Sequence, residues 1–126
     1  RYLEDGNALD ALIEAEKAVA RSNQREPTPF RCRGIVNATL GRLDIALADF
    51  STALDLDPTH AATWDNRGLI YARLGRLTEA VADFTRAIES DPNYVRGYQH
   101  RAMASRELNN EAQALADDAK SRGQNP

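Results

Sequence analysis

Cys32, His60 and His100 are the side chains of this sequence best suited to nucleophilic or metal chemistry, and their spacing supports neither. A single thiol forms no internal disulfide, and it holds zinc only with histidine or carboxylate partners around it. The two histidines stand far apart and in no ligand spacing. No Ser–His–Asp set, paired-carboxylate motif or glycine-rich phosphate loop is present. The reading is therefore of a protein that is not an enzyme, with no catalytic, cofactor-binding or metal-binding residues. Cys32 is expected to be a small, half-buried filler rather than a reactive thiol. Asn37-Ala38-Thr39 fits the glycosylation sequon but lies within a predicted helix, which argues against its use. What remains is charge at regular spacing. Arg33, Arg67 and Arg101 recur at a step of 34 residues, and Asp49, Asp83 and Asp117 each follow 16 residues later. Opposite charges kept in register on two segments predict an Arg–Asp ion pair within each repeat, costly to break if partly buried.

The elements that must position these charges are helices. The chain has 126 residues, 42% hydrophobic and 28% charged, which suits a folded domain rather than a disordered one. Its formal net charge of −3 argues against nucleic acid as a partner, since such modules are normally basic. No apolar run approaches the roughly 20 residues needed to span a bilayer, so membrane insertion is not expected. No signal peptide pattern is visible. The chain starts at Arg1, without methionine, inside what reads as a helix, and is read as a fragment or processed product. Localisation is left unassigned, with the cytoplasm as the default.

The 34-residue step is pervasive. It links Arg33-Gly34 to Arg67-Gly68, Leu40-Gly41-Arg42-Leu43 to Leu74-Gly75-Arg76-Leu77, and Asp57-Pro58 to Asp91-Pro92. It also carries Ala46, Asp49, Phe50 and Ala53 onto Ala80, Asp83, Phe84 and Ala87, and a looser third copy follows through Tyr98, Arg101, Leu108, Ala114 and Asp117. Each copy holds two helix-length segments. The first spans about 29–40, 61–74 and 95–108, and the second about 44–56, 78–90 and 111–122. Apolar residues recur at three and four, not two, so no strand is expected. Gly41 and Gly75 fall where a helix C-cap takes positive φ, Pro58 and Pro92 stop the second segments, and Thr28 before Pro29 reads as an N-cap. Gly34, Gly68, Ala46 and Ala80 would let helices approach closely, and Phe30, Trp64 and Tyr98 would fill the space between one repeat and its neighbour.

This helix–turn–helix period resembles the tetratricopeptide repeat (TPR). Residues 61–94 carry its signature as Trp64, Gly68, Tyr71, Gly75, Ala80, Phe84, Ala87 and Pro92. Residues 27–60 carry Phe30, Gly34, Gly41, Ala46, Phe50, Ala53 and Pro58, with Asn37 in place of the tyrosine. Residues 95–126 keep Tyr98, Ala102, Leu108 and Ala114, but Asn109 replaces the glycine and Asp118 the aromatic. Residues 1–26 fit a partial repeat and linker, with Tyr2, Gly6, Ala11 and Ala18 matching if its loop is one residue longer. The resemblance implies an all-α, right-handed TPR superhelix of three repeats and a preceding half-repeat. Its last second helix reads as a polar cap, with Ala112, Leu115, Ala116 and Ala119 on an apolar side and Gly123-Gln124-Asn125-Pro126 breaking the helix.

The resemblance also implies a use. First helices of such arrays line a concave groove that takes a peptide or a partner's helix. Equivalent positions here give an apolar stripe of Ile35, Leu69 and Met103, flanked by Arg31, Asp65 and Gln99 and by Cys32, Asn66 and His100, and edged by Thr39, Arg73 and Glu107 with Arg96 and Arg106. One TPR subfamily clamps a C-terminal carboxylate, and its positions fall on Arg31, Ile35, Asn66, Arg96 and His100. Arg31, Asn66 and Arg96 suit that chemistry, whereas Ile35 and His100 depart from it. The resulting expectation is an interaction scaffold binding a protein or peptide partner, with an acidic or C-terminal segment favoured because arginine pairs bidentately with carboxylate. The alternatives are a self-assembling homo-oligomer and an accessory module of a larger enzyme or assembly machine.

Overall fold

The computed structural model describes residues 2–123, with side chains described from Gly6 onward; the side chain of Tyr2 and the expected break at Gln124-Asn125-Pro126 lie outside the described residues. All seven helices among them are α-helices: α1 (Tyr2–Arg21), α2 (Pro27–Thr39), α3 (Leu43–Leu56), α4 (Ala61–Arg73), α5 (Leu77–Ser90), α6 (Val95–Glu107) and α7 (Glu111–Ser121). The chain divides into two compact units, Arg1–Pro58 and Thr59–Pro126. In the first, α2 packs on α1 and α3; in the second, α4–α5, α5–α6 and α6–α7 pack in turn, and α4 also touches α6.

The turns inside the helix pairs repeat one geometry. Gly41 and Gly75 have φ of +79° and +78°. In each case the next residue's N–H reaches back five residues (Arg42 to the Asn37 carbonyl, Arg76 to that of Tyr71, both 2.8 Å), and the glycine N–H bonds the carbonyl three back. That is the Schellman arrangement, which satisfies the last carbonyls of the helix. Asn109 takes the same place at φ 63°, with Asn110 N–H on the Ser105 carbonyl at 2.8 Å. Asparagine tolerates this region only at a cost that glycine avoids. Asn109→Gly should therefore stabilise by about 0.5–1 kcal/mol and Gly75→Ala destabilise by about 1 kcal/mol, read from urea midpoints at unchanged slope.

Close approach explains the small residues. A Cβ on Gly34 would lie 2.7 Å from Cε1 of Phe50, and one on Gly68 2.6 Å from Cε1 of Phe84. Ala46 and Ala80 are fully buried. In the first unit Val19, Phe30 and Ala53 form a cluster drawn from all three helices. In the second, Ala80, Phe84 and Ala104 are joined by the half-buried Leu69, Tyr71 and Val81. Phe30 is buried as expected, while Trp64 and Tyr98 are half-buried. The guanidinium groups of Arg67 and Arg86 lie 5.2 and 4.9 Å from the Trp64 ring, and the Tyr98 hydroxyl donates to the Pro92 carbonyl.

Four local expectations are corrected. α2 starts at Pro27 with Glu26 as the cap residue, not at Thr28, because a proline loses nothing in the first turn, where its N–H would be unpaired anyway. Thr28 instead accepts a hydrogen bond from Arg31. Gly6, which the repeat alignment matches to the turn glycines, lies inside α1, which runs unbroken from Tyr2 to Arg21. Cys32 is exposed rather than half-buried. On α7, Ala112 and Leu115 face solvent, and the buried positions are Ala114 and Asp117. The α6 contact and the Arg101–Asp117 pair set that orientation.

Candidate functional site

The repeated charges form the expected pairs. Arg33 grips Asp49 through Nε and Nη2 at 2.8–3.2 Å, Arg67 grips Asp83 at 2.8 and 2.9 Å, and Arg101 grips Asp117 at 2.8 and 2.9 Å. Each aspartate is almost fully buried and each arginine about three-quarters or more so. Asn37, where the family signature has tyrosine, is buried and donates to Asp49. Burial holds the Asp83 carboxyl above the ordinary carboxylate range in spite of the opposing pull of Arg67. The bond to Asp49 raises Arg33, and that to Asp117 raises Arg101. These pairs clamp the two helices of a repeat together and are architecture, not a binding site.

The predicted groove residues divide between the units. In the first, Ile35 is 47% exposed, and Arg31 bonds Thr28 through Nη2 at 2.9 Å. The Nη1 of Arg31 is shielded from solvent and meets no acceptor among the described residues. In the second unit, Asp65, Leu69 and Arg73 follow at i, i+4 and i+8 along α4, and Arg96, Gln99, His100, Met103 and Arg106 occupy one side of α6. Leu69 is half-buried against the Phe84 cluster, whereas Met103 is 45% exposed. Of the three apolar positions, Ile35 and Met103 are open and Leu69 is packed. Asn66 is half-buried, and Arg73, Arg96 and Gln99 are exposed. Arg106 is engaged by Glu111 at 3.2 Å and Asp118 at 2.8 Å. The acid that replaces the signature aromatic therefore serves as a partner for Arg106.

One feature escaped the sequence reading. Asp65 is only 1% exposed, and both its oxygens face His100 Nδ1, at 2.8 and 3.0 Å. The Tyr94 hydroxyl donates to Asp65 Oδ2 at 3.3 Å. Burial, and then the neighbouring Asp65, push the Tyr94 phenol up to about 12. The link joins α4 and α6, the two first helices of this unit. The step from Asp65 to His100 is 35 residues, one off the repeat register, so a search for equivalent positions separates the two partners. Tyr94 carried no signal of its own.

Among the described residues no group of three or more His, Cys, Asp and Glu could hold a metal, and no helix is long and apolar enough to cross a membrane. Stacked helix pairs, a shared turn geometry and an intrarepeat ion pair define a helical-repeat protein. The chain belongs to the tetratricopeptide repeat family, whose model matches residues 33–95. The fold is shared with the crystal structure of MamA, at 20% identity and a TM-score of 0.87 over 97% of this chain and 71% of that one. The Arabidopsis OM64 TPR domain aligns at 22% identity and a TM-score of 0.75, over 79% of this chain and 82% of its own. The first TPR of Spaghetti (RPAP3), in a structure bound to the HSP90 peptide SRMEEVD, aligns at 22% identity and a TM-score of 0.75 over 78% of each chain. No curated protein sequence matches the chain.

Proposed function

We propose that this TPR domain is a non-catalytic interaction module that holds an extended peptide or partner segment, acidic or C-terminal in character, against its first-helix faces. The observation that carries the reading is the α4–α6 face of the second unit. The Asp65–His100 bond sets the two helical stripes side by side, Met103 supplies exposed apolar surface, and the exposed Arg73 and Arg96 give cationic edges. An apolar centre with a cationic border suits a segment that carries both apolar and carboxylate side chains. The HSP90 peptide bound by Spaghetti (RPAP3) is such a segment, with a fold neighbour as its receptor. Arg31, which donates to Thr28 through Nη2, is the corresponding cation of the first unit.

The reading is tested by titrating a labelled SRMEEVD peptide into the full chain and following fluorescence anisotropy. Saturable binding is expected, weakened about tenfold by Arg96→Ala, which corresponds to one lost charge-assisted hydrogen bond of about 1.4 kcal/mol. An amidated C-terminus separates capture of the terminal carboxylate from capture of acidic side chains. Equal affinity for wild type and Arg96→Ala would remove that arginine from the site.

A further inference from the structure

We infer that His100 reads the main chain of the bound segment: Asp65 fixes its imidazole as the Nδ1–H tautomer, and Nε2 is presented as an acceptor for a peptide N–H. The inference rests on the peptide-binding reading above and assigns one of its contacts.

A buried carboxylate is an acceptor with both oxygens, so the atoms facing it must donate. Nδ1 of His100 lies within 3.0 Å of both oxygens of Asp65, the geometry of an Nδ1–H donor, and the tautomer with that hydrogen keeps Nε2 as an acceptor. The ring is also held on a second side. Its centroid is 5.5 Å from that of Phe84, at an interplanar angle of 43°, and Phe84 is itself fully buried. Asp65 is fixed in turn by the Tyr94 hydroxyl. Position and tautomer are therefore set before any ligand arrives, which is the arrangement that loses least on binding.

The imidazole is not sealed in. Its side chain keeps 25% of its surface open, and Nε2 makes no hydrogen bond to a described residue. The polar groups beside it on this face include Asn66 on α4 and Arg96 and Gln99 on α6, with the Glu107 carboxylate one turn beyond Met103. A main chain in extended form offers alternating C=O and N–H groups. The arginine and amides suit its carbonyls, and a fixed acceptor among them suits its N–H.

Two measurements on the full chain decide the matter. Two-bond ¹⁵N–¹H correlation spectra at neutral pH should show the Nδ1–H form of His100 in the free protein, shifting toward Nε2–H in Asp65→Leu. Affinity for SRMEEVD should fall about tenfold when one particular main-chain nitrogen is N-methylated. In His100→Phe the unmethylated peptide should already bind about tenfold more weakly, and that methyl group should cost nothing more. His100→Gln, which can place Oε1 near the lost Nε2, should recover part of the loss. The methylated peptides test wild type directly, so the inference stays exposed even if His100→Phe folds poorly. An Nε2–H tautomer, or a methylation profile unaffected by His100→Phe, overturns this inference alone. No binding by wild type overturns the peptide reading and this inference together.

Discussion

Replacing Phe84 with alanine is expected to cost about 3–5 kcal/mol of folding stability, the range for emptying a buried aromatic site. Phe84 is fully buried with Ala80 and Ala104, so one ring joins α4, α5 and α6. Backbone lies directly against the ring at Gly68, where a Cβ would stand 2.6 Å from Cε1 and 2.8 Å from Cδ1. Neither helix can collapse into the vacated volume without disturbing the Arg67–Asp83 pair beside it. The same contact makes a sharper prediction about Gly68. In an unconstrained helix, glycine to alanine gains about 1 kcal/mol. Here overpacking against the ring costs about 1–3 kcal/mol, so Gly68→Ala should be net destabilising. In a Phe84→Leu background the contact with the ring is removed and only Asp83 Cβ, at 3.2 Å, stays close, so the same alanine should be markedly less destabilising. Urea melts of the four proteins give the coupling directly. A stabilising Gly68→Ala in the wild-type protein would contradict the packing account.

The second large effect is expected at Arg67. Arg67→Ala leaves Asp83, whose side chain is 5% exposed, without its bidentate partner, and a cost of about 3 kcal/mol follows from stranding a buried charge. Arg67→Lys should recover little, because an ammonium cannot reproduce the two-pronged contact or lie over the rings of Trp64 and Tyr71 at 5.2 and 5.6 Å. The deficit should also depend on pH with a definite sign. Burial already raises Asp83, so its charged form is disfavoured in the fold. Removing Arg67 raises it further. A carboxyl whose folded value exceeds its unfolded one imposes a penalty that is full at high pH and disappears as pH falls below the unfolded value. Arg67→Ala should therefore lie closest to wild type near pH 4 and furthest from it at pH 7. Removing both partners, as Arg67→Met with Asp83→Leu, should cost far less than the sum of the single changes. Additive losses would show that the pair contributes nothing as a pair.

The repeat was legible because each of its parts obeys a local rule. Positive φ favours glycine, so Gly41 and Gly75 marked the turns; close approach excludes side chains, so Gly34 and Gly68 marked the crossings. Identical charges at one step marked the three ion pairs. Asn109 shows how far that logic extends, since it adopts the glycine geometry without being glycine. What was illegible came from neighbours rather than from the residue itself. Cys32 and Leu115 lie on regular helices, but whether they face a packed or an open side depends on which helices surround them. Gly6 aligns with the turn glycines, yet it lies inside the continuous α1. The Asp65–His100 bond joins non-equivalent positions of successive repeats, and a periodic reading compares equivalent ones. On the candidate site the residues were found but not their states: Arg106 is occupied by Glu111 and Asp118, and Leu69 belongs to the core.

We propose that a peptide binds on the α4–α6 face. Backbone ¹H–¹⁵N spectra of the full chain, recorded while SRMEEVD is added, map where the peptide sits. Saturable shifts concentrated at Asn66, Leu69, Arg96, Gln99, His100 and Met103, with Ala82, Arg86 and Glu89 on the exposed side of α5 unmoved, are the predicted result. No saturable shift up to millimolar peptide, or shifts confined to the exposed side of α5, would contradict it.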